Sequence, residues 1–208
     1  MGKNVSAIQK MLNVVIIVLI LILLSFGGYY FYTHQNEQVG TKVSFNNQKV
    51  LLPPLDTQFD FKTINNREFK MKTSNKKMVI AGLEGKVVFL KIFGWDCQYC
   101  KKEIPQLIHL KKDLGNSFEV IAIEAEQHTD EESLEYIKKY GINYHIINGI
   151  NQQRFYEYLK LYYNWNNLIP LTIVLGKDGD VLAYEVGVKS YNLSELMRVS
   201  LSRDKSRM

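Results

Sequence analysis

Val87-Val88-Phe89-Leu90-Lys91-Ile92-Phe93 is apolar at every position but one, and after Gly94-Trp95-Asp96 the pair Cys97-Gln98-Tyr99-Cys100 opens a stretch with helical patterning. A strand-length run without polar alternation is expected of a strand buried on both faces, and so of a sheet covered by helices. Cys97 and Cys100 are the whole cysteine complement. A bridge between them closes too short a loop to restrain much unfolded-chain entropy, so a reason to pair is chemistry rather than stapling. After a buried strand and at the first turn of a helix, a Cys-x-x-Cys reads as a redox site. Free backbone N–H groups and the positive end of the helix dipole favour thiolate at Cys97. Cys97 is the expected attacking thiol and Cys100, one turn on, the resolving one.

The flanking sequence supplies the rest of such a sheet. Val50 to Lys72 holds short apolar patches and the alternating Glu68-Phe69-Lys70-Met71-Lys72, which predict a small N-terminal hairpin. A helix is expected from Cys97 to Leu114, capped by Asp96 and kinked at Pro105. Strands are expected at Phe118 to Ala125 and Tyr144 to Ile150, with a helix from Asp130 to Tyr140 between them. Asn151 to Tyr163 reads as a helix with Phe155, Leu159 and Tyr162 on its apolar face. Leu171 to Leu175 and Val181 to Val186 flank Asp178-Gly179, a strong hairpin signal, and Asn192 caps a last helix from Leu193 to Leu201. Strands alternating with helices and closing on a hairpin predict a three-layer α/β domain with a mixed central sheet.

Ahead of this domain, Met11 to Thr33 carries no charge, and Val14 to Phe26 is almost purely Val, Ile, Leu and Phe. Such a segment is long enough to span a bilayer. Lys3 and Lys10 precede it and favour a cytoplasmic N-terminus, while Tyr29, Tyr30, Phe31 and Tyr32 suit the outer interface. The expected organisation is a cytoplasmic N-terminus at 1–10, a transmembrane signal anchor at 11–33, a polar linker at 34–48 and an exported domain at 49–208. A cleaved signal peptide is the alternative, although its apolar region is typically shorter, about 7–15 residues. Hydrophobic residues at 46% and charged ones at 23% exclude a disordered tail or a fibre. The net charge of +5 is scattered, with no basic run longer than two, so nucleic acid is not an expected partner.

The segment Phe93-Gly94-Trp95-Asp96-Cys97-Gln98-Tyr99-Cys100-Lys101-Lys102-Glu103-Ile104-Pro105 resembles the active-site segment of thioredoxin-like proteins of the TlpA/ResA/DsbE group. Their usual form is Trp-Cys-x-x-Cys-x-x-Glu-x-Pro. The resemblance runs from about Val50 to the C-terminus and takes in a strand and helix inserted between Asp130 and Tyr163. It implies a thioredoxin-like three-layer fold in which Ile169-Pro170, ahead of Leu171-Thr172, matches the group's cis-proline. Pro170 would then shield the cysteines from metals, and the backbone of Ile169 would pair with the client as an added strand. Trp95 is counted with the client-contacting residues on the same ground. Glu103 matches the glutamate that tunes the cysteines and contributes to client recognition in the ResA-like subgroup; a solvated helix charge is the alternative.

The function implied by the resemblance is that of a membrane-anchored, extracytoplasmic thiol–disulfide oxidoreductase. Its partners would be protein thiols or disulfides, with apocytochrome c as client and a transmembrane electron donor upstream, in a reducing role in cytochrome c maturation. No cofactor beyond the Cys97–Cys100 pair is needed. The implied location is the inner membrane, single-pass, with a monomeric domain on the periplasmic or exterior face.

Two positions depart from the group's pattern. The tryptophan expected immediately before the first cysteine is one place earlier, at Trp95, and Asp96 stands in its place. A carboxylate there opposes the thiolate that the dipole favours. Lys91 replaces a buried aspartate or asparagine, and a lysine in so apolar a strand needs a partner or loses its proton. The expected partner is Glu103, in a unit that moves protons to and from Cys100; escape of the amine to solvent through strand twist is the alternative.

Other signals carry less. His34, His109, His128 and His145 are dispersed without a helix-type metal spacing, and no metal site is expected, although His128 or His145 could complete a soft site with the thiolates. Tyr163 and Trp165 could form an apolar rim that receives a client. The rival functions are an oxidase or isomerase of exported proteins, a Cu(I) metallochaperone on the same fold, and a tethered binding module.

Overall fold

The computed structural model describes residues 15–27, 29, 40–45 and 51–205. The chain divides into two units, Met1–Gln38 and Val39–Met208. In the first, residues 15–27 are helical and expose Val15 to Leu24 and Phe26. No helix among the described residues is long and apolar enough to cross a membrane. Lys3, Lys10, Tyr30 to Tyr32 and His34, together with most of the expected linker, lie outside the described residues.

The second unit contains ten strands among the described residues: β1 (Thr41–Lys42), β2 (Gln58–Lys62), β3 (Glu68–Ser74), β4 (Lys77–Ile80), β5 (Val87–Phe93), β6 (Phe118–Glu124), β7 (His145–Asn148), β8 (Leu168–Ile169), β9 (Leu171–Leu175) and β10 (Val181–Val186). Four helices accompany them: α1 (Gln98–Leu114), α2 (Asp130–Tyr140), α3 (Gln153–Tyr163) and α4 (Leu193–Lys205). The main sheet has the order β10-β9-β5-β6-β7, with β5, β6 and β7 parallel and β9 and β10 antiparallel. This is the mixed sheet expected from the sequence.

Every residue of β5, β6 and β9 is buried, as their mostly apolar sequences lead one to expect, and Lys91, Glu119, Glu124 and Thr172 are buried with them. Phe89 meets Phe118 edge to face at 5.0 Å across β5 and β6. α1 packs on β6 and on α4, and α4 packs on β10. Asn192 caps α4 as expected, accepting from the Glu195 N–H at 2.9 Å.

The predicted N-terminal hairpin is instead a three-stranded antiparallel sheet, β2-β3-β4, because Met78 and Ile80 continue the alternation beyond Lys72. Its buried face presents Phe59 and Phe61 to Phe155 at 5.1 and 5.3 Å. Gly179 takes φ +79° in the β9–β10 turn, and a Cβ there would press on the Met78 carbonyl and Val79. That approach lets the Met78 N–H donate to the Gly179 carbonyl at 2.8 Å and ties the two sheets together.

The face of α3 differs from the expected one. Phe155 and Leu159 are buried, but Tyr162 is exposed and the buried tyrosines are Tyr156 and Tyr158. Both of the latter have aromatic neighbours, Phe45 and Phe59, from segments before the main sheet. A second apolar stripe is therefore covered, which local periodicity does not reveal.

Phe89→Ala should lower stability by about 3–5 kcal/mol, since the cavity lies between fully buried strands. Leu161→Ala, on the exposed side of α3, should change it by less than about 0.5 kcal/mol. Urea denaturation of both variants checks the contrast.

Candidate active site

Parallel strands β5 and β6 end side by side, with Phe93 opposite Glu124, so the loops that leave them meet at one end of the sheet. The first loop carries Gly94-Trp95-Asp96-Cys97 into α1. Cys97 and Cys100 form a disulfide, with Cα atoms 5.2 Å apart and both residues almost wholly buried. Cys97 itself is the N-cap of α1, and its Sγ accepts from the Cys100 N–H at 3.1 Å. The cap expected at Asp96 is therefore one residue later. The helix runs unbroken through Pro105.

Asp96 points away from the helix. Its N–H donates to Glu126 Oε2 at 2.6 Å, and its exposed carboxylate lies 3.3 Å from His128 Nε2. Gly94 makes room for this, since a Cβ there would collide with the Glu126 side chain. Beneath the loop, the buried carboxylate of Glu124 accepts from the N–H groups of Glu126 and His128 at 2.9 and 3.1 Å and lies 3.2 Å from His128 Nδ1. Burial raises the Glu124 pKa, and these hydrogen bonds and the His128 charge pull against it. Asp96, Glu126 and His128 offer three ligand atoms within 4.8 Å of one another, the only such metal-type grouping among the described residues. Sequence reasoning missed this cluster because Asp96 is some thirty residues from Glu126 and His128 and meets them only through the β5–β6 register.

Lys91 is fully buried and does not reach solvent. Its Nζ donates to Glu103 Oε2 at 2.6 Å and to the Thr172 hydroxyl, which stands opposite Lys91 in the β5–β9 register. The lysine and glutamate singled out in the sequence are thus brought together one turn along α1 from Cys100. Thr172 completes the set, supplying the second acceptor that a buried ammonium needs. Burial and the Glu103 charge hold the neighbouring Tyr144 hydroxyl well above the ordinary tyrosine range.

The Ile169–Pro170 bond is cis. Because Leu171 pairs with Ile92, Pro170 follows in register beside Phe93, at the sheet end from which the cysteine loop departs. Ile169 is buried, and the edge on which a client was expected to add already holds another strand: Thr41 lies opposite Ile169 and Lys42 opposite Leu168. Part of the expected linker at 34–48 therefore belongs to the folded unit.

Trp95 does not line a client surface. It is completely buried, donates its indole N–H to the Ser133 hydroxyl at 3.0 Å and stacks on Tyr136 at 5.0 Å, so it pins α2 to the cysteine loop. Trp165 is likewise buried, against Phe45 and Tyr156, and is not an open rim. Tyr163 stacks on Tyr184 at 5.2 Å. His109 is an exposed partner of Asp113, and His145 sits beside Arg67 and Phe69, away from the cysteines.

The AhpC/TSA family model matches residues 63–184, more than half of the chain and all of the site except β1. The chain belongs to the AhpC/TSA family. Among curated relatives, the thiol-disulfide oxidoreductase ResA of Bacillus thuringiensis is 28% identical over 113 residues, covering 54% of this chain and 61% of that protein. The match thus spans less than two thirds of the relative's length. Among solved structures, a thioredoxin-family thiol:disulfide interchange protein from Chlorobium tepidum has a TM-score of 0.54 at 20% identity, over 74% of this chain and 98% of that one. StoA from Bacillus subtilis gives 0.51 at 17% identity, over 71% and 99%. These structures establish the thioredoxin-like fold of this family member.

A carboxyl whose pKa is raised by folding stabilises the fold while it is protonated, and that contribution is lost as pH rises through the folded value. The native chain should therefore gain stability relative to Glu124→Gln as pH falls from neutral towards 4.5, the ordinary value for this carboxyl. Urea midpoints of the two chains across that range test this; a constant difference would contradict it.

Proposed function

We propose that this protein is a membrane-anchored thiol–disulfide oxidoreductase acting outside the cytoplasm. The observation that carries the reading is the Cys97–Cys100 disulfide at the N-cap of α1, at the same sheet end as the cis Ile169–Pro170 bond. The ResA relatives support it, as does the uncharged stretch from Met11 to Thr33, whose length suits an anchor. No bound cofactor enters the chemistry.

In the reducing direction the Cys97 thiolate attacks one sulfur of a client disulfide, forming a mixed disulfide and expelling the other client sulfur as thiolate. The Cys100 thiolate then attacks Cys97 Sγ, which closes the Cys97–Cys100 bond and releases the second client thiol. Two electrons have moved to the client. A dithiol donor must return them, and since exported compartments are oxidising, that donor draws on electrons carried across the membrane. Apocytochrome c, whose haem-attachment cysteines must be reduced, is the client we assign. In this reading Lys91 and Glu103, paired one turn along the helix from Cys100, take and return its proton as it alternates between thiol and disulfide, and Thr172 keeps the amine in place.

Cys97→Ser should abolish exchange, and Cys100→Ser should accumulate the mixed disulfide, both read by non-reducing electrophoresis with a disulfide-bearing client. Lys91→Met should shift the Cys100 pKa and change the pH profile of exchange; an unaltered profile would remove Lys91 and Glu103 from the proton path. The reducing role predicts a reduction potential nearer thioredoxin's roughly −270 mV than the roughly −120 mV of a strong oxidant.

A further inference from the structure

β8 leads directly into the cis Ile169–Pro170 bond, and the protein's own residues 40–45 fill its edge. Thr41 and Lys42 form the antiparallel partner of Ile169 and Leu168, and the Val43 N–H donates to the Asn167 carbonyl at 2.8 Å. Gly40 passes so close to the Ile169 carbonyl that a Cβ would collide with it and with Leu168. The Ser44 carbonyl accepts from the Gln127 side chain at 3.3 Å, which links the segment to the loop beside Asp96. Phe45 then stacks on Tyr156 at 4.3 Å, lies 5.9 Å from Trp165 and carries Lys160 Nζ 5.6 Å from its ring centroid.

These contacts have the pattern of peptide recognition by strand addition: main-chain pairing along an edge, with a pocket for one side chain. The strand that residues 40–45 pair with runs directly into the cis-proline, yet the segment contributes nothing to the main sheet. We propose that residues 40–45 are a built-in stand-in for the client, and that the client is an extended peptide segment which displaces them. It pairs antiparallel to Leu168–Ile169 and places an aromatic side chain against Tyr156 and Trp165, in the position of Phe45.

This inference rests on the exchange function and adds two properties to it. Clients are selected by an aromatic residue four positions along from the residue that meets Ile169, in addition to main-chain pairing. Affinity is set by competition with the protein's own strand, since a site that is open for only a fraction of the time binds more weakly by that fraction. Tethering gives the stand-in a high effective concentration without making its pairing tight, so a well-fitting client can still replace it.

The test uses the full chain in detergent micelles and a short peptide of alternating Thr and Val with a single Tyr, in which serine replaces cysteine so that no exchange can occur. Binding is read from tryptophan fluorescence, to which Trp165 contributes. Gly40→Val, which cannot approach Ile169, and Phe45→Ser, which leaves the aromatic pocket, should each bind the peptide about tenfold more tightly, as if an edge filled about nine-tenths of the time had been opened. Replacing the peptide's Tyr by Ser should remove most of that gain. Affinity in both variants equal to or weaker than that of the native chain overturns the proposal, as does no binding to any of them. Loss of the exchange reaction with this peptide response intact would overturn the oxidoreductase reading and leave the docking edge standing.

Discussion

Complete burial of β5 is the constraint from which the rest follows. A strand with no solvent-facing side needs partners on both edges, and it has them: β6 parallel on one side and β9 antiparallel on the other. The parallel pairing sends the chain out of β5 and β6 at the same end of the sheet, and the antiparallel pairing brings the start of β9 back to it. The loop carrying Cys97, the loop carrying Glu126 and His128, and the cis Ile169–Pro170 bond are thereby collected in one place. None of these three segments is near another in sequence.

Lys91 shows what that burial demands of polar chemistry. An ammonium inside the central strand is tolerated because Glu103 descends from α1 and Thr172 faces it from β9. The result couples the helix of the cysteines to two strands through charge-assisted hydrogen bonds in a place where water cannot compete. Asp96 is managed in the opposite way. Its carboxylate is turned to solvent and towards His128, and Cys97 takes over the capping position that a carboxylate so often fills.

The N-terminal part of the folded unit also reaches this end of the sheet. With β1 on β8, the protein presents a filled edge and a filled aromatic pocket rather than an open cleft. A strand edge left open is a hazard for unwanted pairing, and occupying it is a known remedy. Here the same remedy sits on the strand that leads into the cis Ile169–Pro170 bond.

The order and type of the elements were legible in the sequence because they depend on short-range patterns. A mostly apolar run gives a buried strand, Asp178-Gly179 gives a hairpin, and a Cys-x-x-Cys after a strand gives a helix that starts at a disulfide. The Lys91–Glu103 pair was legible too, since a buried charge requires a partner and few groups lie within reach. Tertiary structure alone decided the third strand of the small sheet, the inward turn of Trp95, the outward turn of Tyr162, the gathering of Asp96, Glu126 and His128, and the docking of residues 40–45. Each of these depends on which surfaces meet across long sequence separations. Packing settles such contacts through shape and the burial of area, and neither leaves a periodic mark on the segments that take part.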